Sequence, residues 1–151
     1  MPIFWRQQLA IGHNEIDADH RYLILLINTL ELVLRFPENP SHIQQAFDEL
    51  DHYARGHFER EEKIQIAWAY THLDAHKLEH RKLLDALAAL RMKVDTALAH
   101  PQTATEQIKE QSAEITAFLR HWLLDHVMKE DMKLIELFRK RDPHEGGYRR
   151  T

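Results

Sequence analysis

Cysteine is missing altogether from the 151 residues. That absence excludes disulfides, thiolate metal sites and iron–sulfur clusters in one step, so any metal must sit on histidine and carboxylate. Glycine and proline are scarce, at 4 and 5, which favours long uninterrupted helices. No long apolar run is present either: the longest aliphatic stretch covers residues 23–27, far below membrane-spanning length. The opening Met-Pro-Ile-Phe-Trp-Arg-Gln-Gln lacks a basic segment followed by an apolar one. No membrane insertion is expected, and a soluble cytoplasmic protein is the default. The 20 basic residues are scattered among 24 acidic ones for a net charge of -4, so there is no phosphate-tracking surface and no nucleic-acid partner is expected. The length suits one domain with a sizeable core.

What the chain has in excess is histidine, 12 in all. His57 and Glu61 are four apart, and so are His76 and His80. Residues four apart share a helical face, so each pair can grip one object. Imidazole and carboxylate together suit iron, zinc or manganese, and two such pairs exceed the needs of one tetrahedral metal. The spacing points to a metal cluster.

The apolar pattern predicts four helices. His20, Leu23, Ile24, Ile27, Leu30 and Leu34 follow helical spacing over residues 17–36, and Pro37 with Pro40 ends the run. Ser41 is the expected N-cap of a second helix, with Ile43, Phe47, Leu50, Ala54, His57, Glu61, Ile64 and Trp68 on its seam. The third seam is His76, His80, Leu83, Leu87, Leu90, Val94 and Ala97, with Pro101 just beyond it. The fourth, over residues 105–126, carries Ile108, Ile115, Phe118, Leu119, Trp122 and His126. Four helices with short connections imply an all-α, up-down-up-down four-helix bundle, preceded by an irregular N-terminal arm over residues 1–16. Burying an unpaired carboxylate such as Glu61 costs several kcal/mol, so the fold must supply a partner or a metal.

His126 and Asp131 are five apart, roughly 140° on a regular helix. Either they do not serve one cluster, or the helix breaks and Asp131 caps a short fifth helix over residues 132–141; the break is the expectation. Residues 142–151 read as a frayed tail, so the whole chain divides into arm (1–16), bundle with short C-terminal helix (17–141) and tail.

The series His20, His57-x-x-x-Glu61, His76-x-x-x-His80 and His126-x-x-x-x-Asp131 resembles the ligand pattern of the hemerythrin family in its bacterial single-domain form. Leu9-Ala-Ile-Gly12, Ile16-Asp17-x-x-His20, Phe58, Tyr70 and Trp122-Leu123 also fit, and the resemblance covers residues 5–138. It implies two non-haem iron ions joined by an oxo or hydroxo bridge, ferrous in the deoxy form and ferric when oxygenated or oxidised. His76, His80 and His126 would hold one iron, His20 and His57 the other, with Glu61 and Asp131 bridging. The three-histidine iron then reaches six ligands and the other only five, leaving one open position for dioxygen. Leu23, Phe58, Trp122, Leu123 and Val127 would form an apolar oxygen pocket.

The resemblance implies a monomeric oxygen carrier, store or delivery protein, not an enzyme, with an oxygen-consuming protein as recipient. The alternatives are an oxygen or redox sensor, or a di-iron oxidase or iron-handling protein. A ferritin-like site needs Glu-x-x-His pairs on two helices, and here the obvious case is Glu49-x-x-His52 alone. Gln65, Asp19 and Thr71 depart from the family pattern without removing a ligand; a polar Gln65 near the seam could hydrogen-bond or admit water and so bear on autoxidation and oxygen affinity. His13, His42, His52, His72, His100, His121 and His144 have surface or loop explanations, and Glu62 a solvated one, with support of a ligand as its alternative.

Overall fold

Each apolar line becomes one long helix. In the computed structural model, which describes residues 2–140, α1 is Asn14–Arg35, α2 is Pro40–Ala67, α3 is Leu73–Leu98 and α4 is Pro101–Lys129. A 3-10 turn, Asp131–Lys133, follows α4 and leads into α5, Leu134–Lys140. Packing runs α1 on α2, α2 on α3, α3 on α4 and α4 back on α1. The architecture is the all-α, up-down-up-down four-helix bundle with an N-terminal arm and a short fifth helix. Arg141 and the tail over 142–151 lie outside the described residues.

The core is wholly apolar toward one end of the bundle. There Leu23, Ile27, Leu30 and Leu34 of α1 join Ile43, Phe47 and Leu50 of α2, Val94 of α3 and Ile108 of α4. Side chains of this size contribute about 1.5–3 kcal/mol each when taken fully from water. That burial holds the four seams in register, and the same seams carry polar residues at the other end.

Helix ends differ from the sequence expectation for local chemical reasons. α1 starts at Asn14 because Asp17, inside its first turn, reaches back to accept from the backbone N–H groups of Ile11 (2.8 Å) and Gly12 (3.2 Å). Gly12 sits at φ 89°, where a side chain would be strained. The N-cap of α2 is Asn39, whose side chain accepts from the Ser41 N–H at 3.0 Å, with Pro40 in the first turn; Ser41 is therefore inside the helix. Pro101 lies just beyond α3, as expected, and itself opens α4 four residues before the expected start, as its fixed φ and missing N–H permit. Phe118, expected inside, is 37% exposed; the α4 seam runs through Ile115, Leu119, Trp122 and His126.

The arm lies along α1. Asn28 exchanges two hydrogen bonds with the backbone of Ile3, at 2.8 and 2.7 Å, and Arg21 stacks 4.7 Å above the Trp5 ring. At the polar end, Ile11 and Ile16 pack with Leu134, flanked by Tyr70, Met132 and Phe138. Arm and fifth helix thus close that end. Among the described residues no helix is long and apolar enough to cross a membrane.

Candidate metal centre

The seven polar residues picked from the sequence come together. His20 is supplied by α1, His57 and Glu61 by α2, His76 and His80 by α3, His126 by α4, and Asp131 by the turn after it. None exceeds 5% exposure. Their ligating atoms form two overlapping groups that could each hold a metal ion, within 4.8 Å of one another: Glu61, His76, His80, His126 and Asp131, and His20, His57, Glu61 and Asp131. The two carboxylates belong to both.

Each carboxylate divides its oxygens between the groups. Glu61 Oε1 lies 2.7 Å from His76 Nε2 and 3.3 Å from His80 Nε2, whereas Oε2 lies 3.3 Å from His57 Nε2 and 3.8 Å from His20 Nε2. Asp131 Oδ1 lies 3.1 Å from His76 Nε2 and 3.0 Å from His126 Nε2, and Oδ2 lies 3.1 Å from His20 Nε2. Despite these distances, Nε2 of His20, His76, His80 and His126, Oε2 of Glu61 and both Asp131 oxygens make no hydrogen bond. These atoms are close together without hydrogen-bond geometry between them. Buried polar atoms are rarely left unpaired, so a nitrogen- and oxygen-lined cavity of this kind fits a cation.

Asp131 reaches the cavity because the helix breaks. α4 stops at Lys129, and the tighter turn at Asp131–Lys133 rotates its first residue inward. The capping role expected for Asp131 is not what its side chain does: it is fully buried on His20, His76 and His126.

Burial alone would push His57 down, but Asp19 and Glu61 beside it more than offset this and raise it to about 9. His76, also penalised by burial, is raised to about 9 by Asp131 and Glu61. His80 is lowered, chiefly by burial. Burial opposes ionisation of Glu61 and Asp131 too, yet the surrounding imidazoles hold both below the usual carboxylate range.

Around the seven stands a set the sequence reading undervalued. Asp19, noted only as a departure, accepts from His57 Nδ1 (3.0 Å), Arg60 Nε and Nη2 (2.9 and 3.0 Å) and Tyr53 Oη (2.6 Å). Burial works against its charge, but those donors hold its pKa well below the ordinary value. Tyr53, partly desolvated and donating to that carboxylate, is pushed up to about 12. The available signal was spacing: Tyr53, His57 and Arg60 stand four and three apart on one stripe of α2. Gln65 is fully buried and donates to Glu61 Oε1 at 3.3 Å, while its own Oε1 has no hydrogen-bond partner. Glu62, expected in solvent, is partly buried with Oε2 3.6 Å from His80 Nδ1.

The five apolar residues expected near the centre are all in the core, at 0–5% exposure. Phe58 stacks on His80 at 4.1 Å and 14°, and also meets His57, His126 and Trp122. Trp122 donates its ring N–H to the Leu83 carbonyl at 2.8 Å. Leu23 is three residues past His20, and Leu123 and Val127 flank His126 on α4. His42, His52, His72, His100 and His121 are exposed and His13 is half-buried, all outside the cluster, and His144 lies outside the described residues. Glu49 is exposed with His52, so the ferritin-like pair does not reach the centre.

Comparison with known proteins agrees with this geometry. A family model described as "Hemerythrin HHE cation binding domain" matches residues 12–138. A bacteriohemerythrin from Methylococcus capsulatus is 30% identical over 115 residues, 76% of this chain and 79% of the relative. One from Stenotrophomonas maltophilia is 26% identical, covering 85% of this chain and 76% of the relative. A hemerythrin-like protein from Naegleria gruberi is 27% identical, covering 87% and 90%.

Proposed function

This chain belongs to the hemerythrin family, and we propose that its buried cluster holds two non-haem iron ions and binds dioxygen reversibly. His76, His80 and His126 would hold one ion, His20 and His57 the other, with Glu61 and Asp131 serving both. The observation that carries this reading is the division of each carboxylate's two oxygens between the two histidine groups. When bound, the iron pair supplies the electrons that make dioxygen binding possible and reversible.

The protein's part is to hold, to orient and to exclude. Neutral imidazole and carboxylate donors, fixed on five separate elements, suit iron, and the absence of thiolate disfavours softer metals. One group offers three imidazoles and the other two, so the second leaves more of its cation free for a small molecule. Leu23, Phe58, Trp122, Leu123 and Val127 keep bulk water away and limit loss of reduced oxygen species. The role in this reading is that of a carrier, store or delivery protein with an oxygen-consuming protein as recipient; oxygen or redox sensing and di-iron oxidase chemistry are the alternatives.

The test is optical. Protein loaded with ferrous iron under argon, exposed to oxygen and returned to argon should gain and then lose a visible ligand-to-iron charge-transfer band over repeated cycles. Irreversible oxidation on the first exposure would refute reversible binding and favour redox sensing or oxidase chemistry.

A further inference from the structure

Glu61 and Asp131 both stand between the two histidine groups, but their hydrogen bonding differs. Neither oxygen of Asp131 has a hydrogen-bond partner, and neither does Glu61 Oε2. Glu61 Oε1 accepts from the side-chain amide of Gln65 at 3.3 Å, the one hydrogen bond to either carboxylate among the described residues. Gln65 lies one turn past Glu61 on the same face of α2 and is fully buried. Its backbone is anchored too, with its carbonyl accepting from the Tyr70 N–H at 2.9 Å. An ionised carboxylate can only accept, so the amide turns its N–H toward Glu61 and its oxygen away. That oxygen has no hydrogen-bond partner.

As core packing this is a poor choice. A buried acceptor without a partner carries its full desolvation cost. Methionine, unbranched and of similar length, would fill the same space and leave no polar atom unpaired. What the amide provides and methionine does not is a donor on Glu61. A carboxylate oxygen has more than one acceptor position, so Oε1 can keep this hydrogen bond while serving a cation. Oε1 is also the oxygen on the three-histidine side, 2.7 Å from His76 Nε2 and 3.3 Å from His80 Nε2.

We propose that Gln65 is a positioning residue which, acting through Glu61, biases the iron pair toward its ferrous state. The inference rests on the di-iron reading given above. A hydrogen bond to a coordinating carboxylate draws electron density from the oxygen that faces the metal. Ferric iron, with its higher charge, loses more by this than ferrous iron does. The reduction potential therefore rises, as hydrogen bonds to ligand atoms raise it at other iron centres. The consequence is a larger share of the protein in the form that takes up dioxygen.

A redox titration under argon tests this without any oxygen binding. The iron-loaded full chain and its Gln65→Met variant are poised with mediators and followed by visible absorption, after iron content has been measured. Both should hold two irons per chain, because Gln65 is not itself a ligand. At a fixed potential the Gln65→Met protein should lie about tenfold further toward ferric, a fall of about 59 mV for a one-electron step. Gln65→Leu, equally without a donor, should move the balance the same way, and circular dichroism of the metal-free chains checks that each variant keeps its helices. A residue that merely fills space would leave the potential where it is. Fewer than two irons in the unsubstituted chain would overturn the di-iron reading and this inference with it. Two irons in each protein, with a potential unchanged or raised in the variants, would overturn the role of Gln65 alone.

Discussion

The two histidine groups of the centre meet the same two carboxylates but stand in different surroundings. On the two-histidine side, His57 is oriented by charge: Asp19 takes its Nδ1–H and is itself fixed by Arg60 and Tyr53. On the three-histidine side, orientation comes from packing, with Phe58 stacked on His80 and edge-on to His126, and Tyr70 edge-on to His76. Hydrogen bonding fixes the direction of His57, which Phe58 also touches, whereas rings pack on all three histidines of the other group, with Glu62 3.6 Å from His80 as a weaker polar contact. The two groups should therefore respond differently to substitution.

The largest effect should come from removing what they share. Glu61→Ala or Asp131→Ala should strip both irons, while His20→Ala, confined to one group, should leave close to one per chain. Iron content after anaerobic loading and desalting decides this, and a Glu61→Ala protein that keeps one tightly held iron would break the proposed sharing. Asp19→Asn comes next. It should weaken the two-histidine site about 10–100-fold, the usual cost of losing a ligand's hydrogen-bond partner, and spare the three-histidine site. Stepwise ferrous titration against a competing chelator would separate the two; equal weakening of both would contradict polar support confined to one side.

Acidity offers a third test. In the metal-free protein His57 and His76, one from each group, are raised from 6.5 to about 9. A raised histidine stabilises the fold fully below the unfolded value and loses that contribution as pH climbs through the folded one. Metal-free protein should therefore melt at a lower temperature at pH 9 than at pH 6.5. The loaded protein should instead hold its metal more tightly at about pH 9, because cations compete with protons for the same nitrogens. Thermal melts of both forms across this range check it, and a parallel decline would be the wrong result. The smallest effect is Phe58→Leu, which keeps bulk but loses the ring stack. It should cost about 0.5–1.5 kcal/mol by denaturant titration, and shift the three-histidine site more than the two-histidine one.

The sequence made the bundle legible because glycine and proline are rare and the apolar seams long. It made the centre legible because His57, Glu61, His76, His80 and His126 interrupt those seams with residues that burial would otherwise penalise. Less could be read where local geometry overrides periodicity. Asp131 depends on how tightly the chain turns after Lys129, and five-residue spacing alone left two outcomes open. Asn39 took the cap in place of Ser41 because Pro40 fits the first turn so well. Asp19 lies off the apolar line of α1, so only its contacts across to α2 reveal that it supports His57. Gln65 was legible as a polar residue one turn past Glu61 and near the seam, able to hydrogen-bond there, and its partner proves to be Glu61 itself.

The most direct test of the central claim is an anomalous-scattering map, measured at the iron edge, from crystals of the iron-loaded protein. Two iron peaks are expected, one among His76, His80 and His126 and one beside His20 and His57, with Glu61 and Asp131 each contacting both. A single peak, or a carboxylate confined to one metal, would contradict it.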